Sequence, residues 1–370
     1  MKKSYDLNNL KKILTLSILI LLCVTPFVAL ELKAIAFLII SLFGYLRSRK
    51  QVKKISIAVF LTFVFLIIIG VANDLIRLGD AEIKFPIYFF ISVFSGLLLS
   101  QTYSAKDLID ANEIMVSKLI IVSFGIHALT LVFPQVLDFG WDYTYDGTTR
   151  KTLVFANFAF ESGHYTKRFN YIAWEAGAAA FLLALALARR LEKYSKFDII
   201  SLVIIIAIFG TRSTAGLIML FCVLLLYIKL NIKSILLVFL GIAITYPLLI
   251  EDINYHANEK IGNQNYVEGR YGRYEVTIEE FDLKDYVFGK GNKYYDDNYK
   301  FQNLGHWDSW GQMLQRYGLL AVLLVLLFIL KSNLAWIYKI LIVMIFGSQS
   351  LWLTPLAVMA YFSQNKEDYK

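Results

Sequence analysis

The chain has 370 residues, of which 58% are hydrophobic and 18% charged, with a formal net charge of +8. A soluble domain is about a quarter charged; here charge is sparse and the apolar residues come in long blocks, which excludes an ordinary water-soluble fold. The basic balance does not argue for nucleic acid, because Lys and Arg cluster in short segments between apolar blocks, where they set membrane orientation.

One α-helical span needs about 20 apolar residues. Apolar blocks run roughly over 13–30, 34–46, 55–73, 85–101, 115–134, 169–188, 197–209, 213–228, 234–250, 311–330 and 334–363, the last being one long span or two short ones broken near GSQS at 347–350. MKKSYDLNNLKK followed by an apolar run imitates a signal peptide. No small-residue cleavage site follows it, and the chain passes straight into a second apolar block, so it reads as the first span. Cys23 and Cys222 both lie inside apolar runs and read as packed or lipid-facing thiols.

Orientation follows from the short loops. The N-terminal lysines, RSRKQVKK (47–54), RRLEKYSK (189–196), IKLNIKS (228–234) and KSNLAWIYK (331–339) fall on one side if the spans alternate, and that side is expected to be the cytoplasm. The expected fold class is therefore all-α: a polytopic helical membrane protein with about eleven or twelve spans, forming one membrane domain over 1–370. The opposite face receives two long polar segments, about 135–168 and 251–308, both rich in Tyr, Asn, Asp and Gly. A segment as long as the second is usually functional rather than a mere connector.

That face also collects the candidate chemistry. Arg168 ends the first long segment at the mouth of the sixth span. Arg212 sits in the tight turn GTRST (210–214). Arg270 and Arg273 sit in EGRYGRYE, with Lys260, Lys290, Lys293 and Lys300 in the same segment. Arginine suits a two-pronged grip on phosphate oxygens, and a diphosphate held at a membrane surface needs such a set. Ordinary solvated charge is the alternative for each.

Glu175 stands inside the block that starts at Phe169, about two turns in if the helix starts there. A carboxylate there either enjoys the helix dipole or pairs with Arg168 or Arg212 and holds it in place. The AGAAA that follows lets helices approach closely and predicts a buried helix. His306, in GHWDSW, is either one more polar residue of an interfacial aromatic belt or a general base, with Asp308 near enough to orient it. Asp296 and Asp297 in YYDDNY read as a solvated turn. No HExxH, CxxC or Gly-rich phosphate loop with Lys is present, so nothing supports a metal centre, nucleotide hydrolysis or a soluble cofactor.

Four stretches resemble the O-antigen polymerase and O-antigen ligase superfamily of bacterial membrane glycosyltransferases. RFNYIAWEAGAAAF (168–181) is similar to the family's Arg followed by a Glu-Pro or Pro-Asn opening of a central span, with Ala176 where Pro is common. GTRSTAGLIML (210–220) is similar to its Thr/Ser turn. EGRYGRYEVTIEEFDLKDYVFGKG (268–291) is similar to its Arg, amphipathic helix and Gly-x-Gly. GHWDSWGQMLQRYGLLAVLLVLL (305–327) is similar to its His before a span with an early Gly.

The resemblance implies a glycan donor on a polyprenyl diphosphate, flipped to the periplasmic face of a bacterial inner membrane. Transfer to a sugar hydroxyl would proceed without metal or cofactor. It casts Arg168, Arg270 and Arg273, with Arg212 as a further member, as diphosphate grips. His306 would activate the acceptor hydroxyl and Glu175 would orient an arginine. Expected partners are the lipid-linked glycan, membrane lipid and a chain-length regulator protein, with no nucleic acid. A polymerase is expected ahead of a ligase that passes polymer to lipid A core. A flippase is the rival from another class, and it calls for ionisable groups deep within several spans and broken helices.

Overall fold

The computed structural model describes residues 7–24, 30–48, 54–145, 148–153, 156–161, 164–165, 168–173, 175–194, 197–227, 270–300 and 308–364. They are mostly helical. Three helices are long and apolar enough to cross a membrane by length and composition, Ile55–Leu78, Ala105–Val132 and Ser309–Lys331. Four shorter apolar helices, Lys84–Ser100, Ile199–Gly210, Thr214–Tyr227 and Trp336–Phe346, accompany them. The apolar block at 234–250 lies outside the described residues.

The chain divides into two compact units. The first comprises Met1–Leu30, Lys106–Leu249 and Trp336–Leu341; the second comprises Glu31–Ala105, Ile250–Ala335 and Ile342–Lys370.

In the first unit, α1 (Leu7–Val24) and α5 (Ala105–Val132) are followed by a small antiparallel sheet, then by α6 (Ala176–Tyr194), α7 (Ile199–Gly210) and α8 (Thr214–Tyr227). Every residue of α6 from Ala176 to Ala188 is buried, as the small-residue run predicts. Its small side chains admit α8 so closely that a Cβ on Gly216 would lie 2.6 Å from that of Ala180. Asn112 of α5 donates to the Leu182 carbonyl of α6 at 2.8 Å.

The sheet, with strand order β1 (Trp141–Tyr145), β2 (Thr148–Leu153), β3 (Ala156–Glu161) and β4 (His164–Tyr165), departs from the all-helical expectation. Tyr145 pairs with Thr148, and the two residues between them in sequence are Asp146 and Gly147. Asp-Gly between alternating residues is a strong hairpin signal, and the long-loop reading of 135–168 passed over it. Leu137, Ala156 and Phe158 form the sheet's own small core, with Ile126 of α5 packed against it.

In the second unit, α3 (Lys54–Leu78) packs on α4 (Lys84–Ser100), which packs on the C-terminal helix α13 (Pro355–Phe362). Between α2 (Leu30–Ser48) and the long α11 (Ser309–Lys331), the chain also supplies α9 (Arg270–Glu280) and α10 (Leu283–Phe288). A helical turn at Asn292–Tyr294 runs into a π-helical one at Tyr295–Lys300. Phe63, Phe89, Trp352 and Tyr361 form an aromatic core, with the Phe89 and Trp352 rings 4.8 Å apart. The last apolar block, whose residues Trp336–Leu341 belong to the first unit, is broken where GSQS allowed: α12 (Trp336–Phe346) stops at Gly347, and Pro355 opens α13.

Candidate functional site

The first unit brings Arg168 and Arg212 to one turn. Phe169 donates its N–H to the Gly210 carbonyl at 2.8 Å, laying its segment along the α7–α8 turn. Arg168 then directs Nε to the Thr211 carbonyl at 3.2 Å and Nη2 to that of Arg212 at 3.4 Å. Its Nη1 has no protein partner among the described residues. Both arginines are half-buried.

The segment is pinned from behind. Phe169 is buried, edge-on to Phe124 at 5.3 Å and 5.2 Å from the His127 ring, which stacks on Phe158 of β3. The sheet, α5 and the Arg168 segment therefore share one packed cluster. Two non-glycine residues adopt left-handed backbone here, Tyr171 at φ 51° and Arg212 at φ 49°. Such conformations are uncommon and persist only where surroundings dictate them.

Tyr171 is wholly buried, and its hydroxyl has no hydrogen-bond partner among the described residues. Burial pushes that hydroxyl well above its ordinary pKa, so it stays protonated near neutral pH. It can act as a hydrogen-bond donor and not as a base.

Glu175 is not two turns inside a helix. The chain turns at Tyr171–Ala173, and α6 begins at Ala176, so Glu175 precedes the first turn and its carbonyl accepts from Ala179 N. The turn combines a local bond, Ala173 N to the Asn170 carbonyl at 2.9 Å, with the tertiary bond from Phe169 to Gly210, and Asn170 is its one turn-prone residue. The Glu175 side chain is half-buried and makes no ion pair among the described residues. Its setting is the helix N-terminus, where a carboxylate is favoured.

At the far end of the same helices lies a dense ionic cluster. Arg189 contacts Asp110 at 2.6 Å and Glu192 at 2.7 Å. Arg190 contacts Glu113 at 2.9 Å and closes on Asp198. The Arg190 guanidinium holds the Asp198 carboxyl well below the usual carboxylate range. RRLEKYSK therefore does not simply present solvated charge: α5 offers Asp107, Asp110 and Glu113 at three-residue spacing, one helix face, and Arg189 and Arg190 engage the latter two.

In the second unit, α9 carries Arg270 and Arg273, whose side chains, like His306, lie outside the described residues. Their neighbours are tied together. Tyr274 donates to Asp308 at 2.8 Å, and Asp308 caps α11 through Gly311 N. Thr277 of α9 accepts from Gln315 of α11 at 2.9 Å. The segment after Arg273 and the segment after His306 are thus held side by side.

Sequence reading missed the structural centre of this unit. The GKGN stretch docks on a kink in α11. Lys290 N donates to the Gln315 carbonyl at 2.9 Å and Gly291 N to that of Arg316 at 3.1 Å. Gly318 sits at φ 75° within the helix. The Arg316 guanidinium lies 4.0 Å from the centres of both the Phe85 and Tyr295 rings and bonds Asn292 and Asp296. Asp296 is therefore an ion-pair partner rather than a solvated turn residue. Asn73 of α3 caps the Phe288 and Gly289 carbonyls at 2.9 and 3.1 Å. The glycine spacing and the buried-span Arg were visible in sequence; their meeting was not.

Among the described residues no group of three or more His, Cys, Asp or Glu side chains can hold a metal ion. No protein-family model, curated protein or solved structure matches this chain.

Proposed function

We propose that the protein is a metal-independent membrane glycosyltransferase that polymerises polyprenyl-diphosphate-linked oligosaccharide repeat units into an O-antigen- or capsule-type polysaccharide. The observation that carries the reading is the Arg168–Arg212 turn. Arg168 is fixed by two backbone carbonyls of the turn that carries Arg212, and its Nη1 has no protein partner among the described residues. Cations held in place before the reaction stabilise charge as it develops on a leaving diphosphate. In the proposed step an acceptor hydroxyl attacks the anomeric carbon, the bond to the diphosphate breaks, and the hydroxyl proton passes to a general base, the role the sequence resemblance gives His306. The resemblance gives Arg270 and Arg273 of the second unit the same class of ligand, and Glu175 stands half-buried at the start of α6.

The test is mass analysis of the surface glycan in a strain lacking this chain. Single-repeat capped product is the expected result. Free polymer that never reaches its anchor would mean a ligase, and unchanged glycan would remove the reading altogether.

A further inference from the structure

α5 is long and apolar enough to cross a membrane, and its C-terminal flank is exposed at Leu129, Leu131 and Val132. The exposed apolar surface does not stop with the helix. Phe133 is 55% exposed, Phe139 81% and Trp141 72%, the last two reached across the 3-10 turn Pro134–Phe139. The turn's packing fixes this. Leu137 is drawn into the sheet core with Ala156 and Phe158, and Gly140 is pressed so close to β2 that a Cβ would lie 3.0 Å from the Thr152 carbonyl. With Leu137 turned inward and Gly140 pinned, Phe139 and Trp141 are left outside.

Three large apolar side chains this exposed on one short connection are a liability in water, and exposed apolar surface of this kind marks interaction sites. Their chemistry selects the occupant. Phe133 continues the flank of a membrane-length helix with no polar residue between Leu131 and Phe133, and Phe139 and Trp141 follow beyond the exposed Gln135 and Asp138. Charge lies beside them, with Asp138 exposed and Asp142 paired to Lys151 at 3.4 Å. An apolar helix flank followed by aromatics interleaved with polar and charged residues is the composition of the headgroup–acyl boundary, where Trp is enriched.

We infer that Phe133, Phe139 and Trp141 insert into the lipid headgroup–acyl boundary and hold the small sheet on the membrane surface. The sheet packs through Phe158 on His127, and His127 on Phe169, which directly follows Arg168. Anchoring the sheet therefore fixes the depth of the Arg168–Arg212 turn relative to the bilayer. The inference does not depend on what that turn binds.

The test uses the full chain in phosphatidylcholine vesicles, with and without bromine high on the acyl chains. The contribution of Trp141 is the difference between the native protein and Trp141→Phe. It is expected to emit to the blue of indole in water and to lose most of its intensity in brominated lipid. Emission typical of water-exposed indole, quenched by aqueous iodide and untouched by bromolipid, would overturn the inference. So would blue-shifted emission quenched by neither, since the patch would then be covered by protein, a second copy or a partner. A nitroxide on Phe139→Cys, with Cys23 and Cys222 replaced by alanine, gives an independent reading. Greater collision with oxygen than with an aqueous nickel chelate is expected, and the reverse order contradicts the anchor.

Discussion

Gly318→Ala is expected to be among the most destabilising single substitutions in the chain. At φ 75° and ψ −175° the residue occupies backbone territory essentially reserved for glycine. A Cβ there would overlap the Val287 carbonyl and the Phe288 N–H, and a Cβ on Gly289, at φ 71°, would overlap the backbone of Arg316 and Tyr317. Two glycines thus let α10 and α11 touch backbone to backbone. Backbone strain of about 1–3 kcal/mol and overpacking of about 1–3 kcal/mol together give roughly 2–6 kcal/mol. Thermal unfolding in detergent, followed by loss of monodisperse protein, should show a large drop for Gly318→Ala and for Gly289→Ala. Gly125→Ala is the control. Nothing lies within 4 Å of a Cβ there, and alanine is the better helix former by about 1 kcal/mol, so its stability should be equal or higher. Equal behaviour of Gly318→Ala and the control would refute the contact.

Arg190→Met is expected to cost about 3–5 kcal/mol, the usual penalty for removing one partner of a buried pair. The residue left behind is Glu113, only 2% exposed, with the half-exposed Lys193 at 3.5 Å as its remaining cation. The sign of the coupling is the sharper test. Glu113→Gln in the Arg190→Met background should recover part of the loss, because it neutralises the stranded carboxylate; independent, additive losses would deny that the two groups form a pair. The same cluster sets a pH dependence. Asp198 has a depressed carboxyl pKa in the folded protein, so its contribution is present above the ordinary carboxylate range and fades as pH falls through it. Arg190→Met should flatten that acid-side loss.

How far these features could be read from the chain differs by element. The AGAAAFLLALALA run announces a helix buried on every side, because only small residues permit such close neighbours, and α6 is that helix. The helix start was not legible. Between Arg168 and Glu175 only Asn170 favours a turn; its carbonyl accepts from Ala173 N, while Phe169 bonds Gly210, some forty residues away in sequence. Glu175 changes meaning with it, from a carboxylate sunk in a helix to one at its threshold. The Asp-Gly hairpin of β1 and β2 and the acidic stripe on α5 were written plainly in local spacing. Gly289 and Gly318 were visible as glycines, but their partnership is a contact between segments about thirty residues apart. The closeness of Arg168 and Arg212 is of the same kind: each stood out alone, and only the fold supplies the carbonyls that tie one to the turn of the other.

Those carbonyls make the Arg168–Arg212 turn the place to test the assigned chemistry. The decisive measurement is release of polyprenyl diphosphate from a lipid-linked oligosaccharide by the purified protein in vesicles, comparing the native chain with Arg168→Lys, Arg212→Lys and the pair. Lysine keeps the charge but loses the fork. Removal of a fixed donor to a developing oxyanion costs about 100-fold or more in rate, so turnover should fall by that order while folding is retained, and a chelator should leave the native rate unchanged. Native-like release by all three variants would contradict the account.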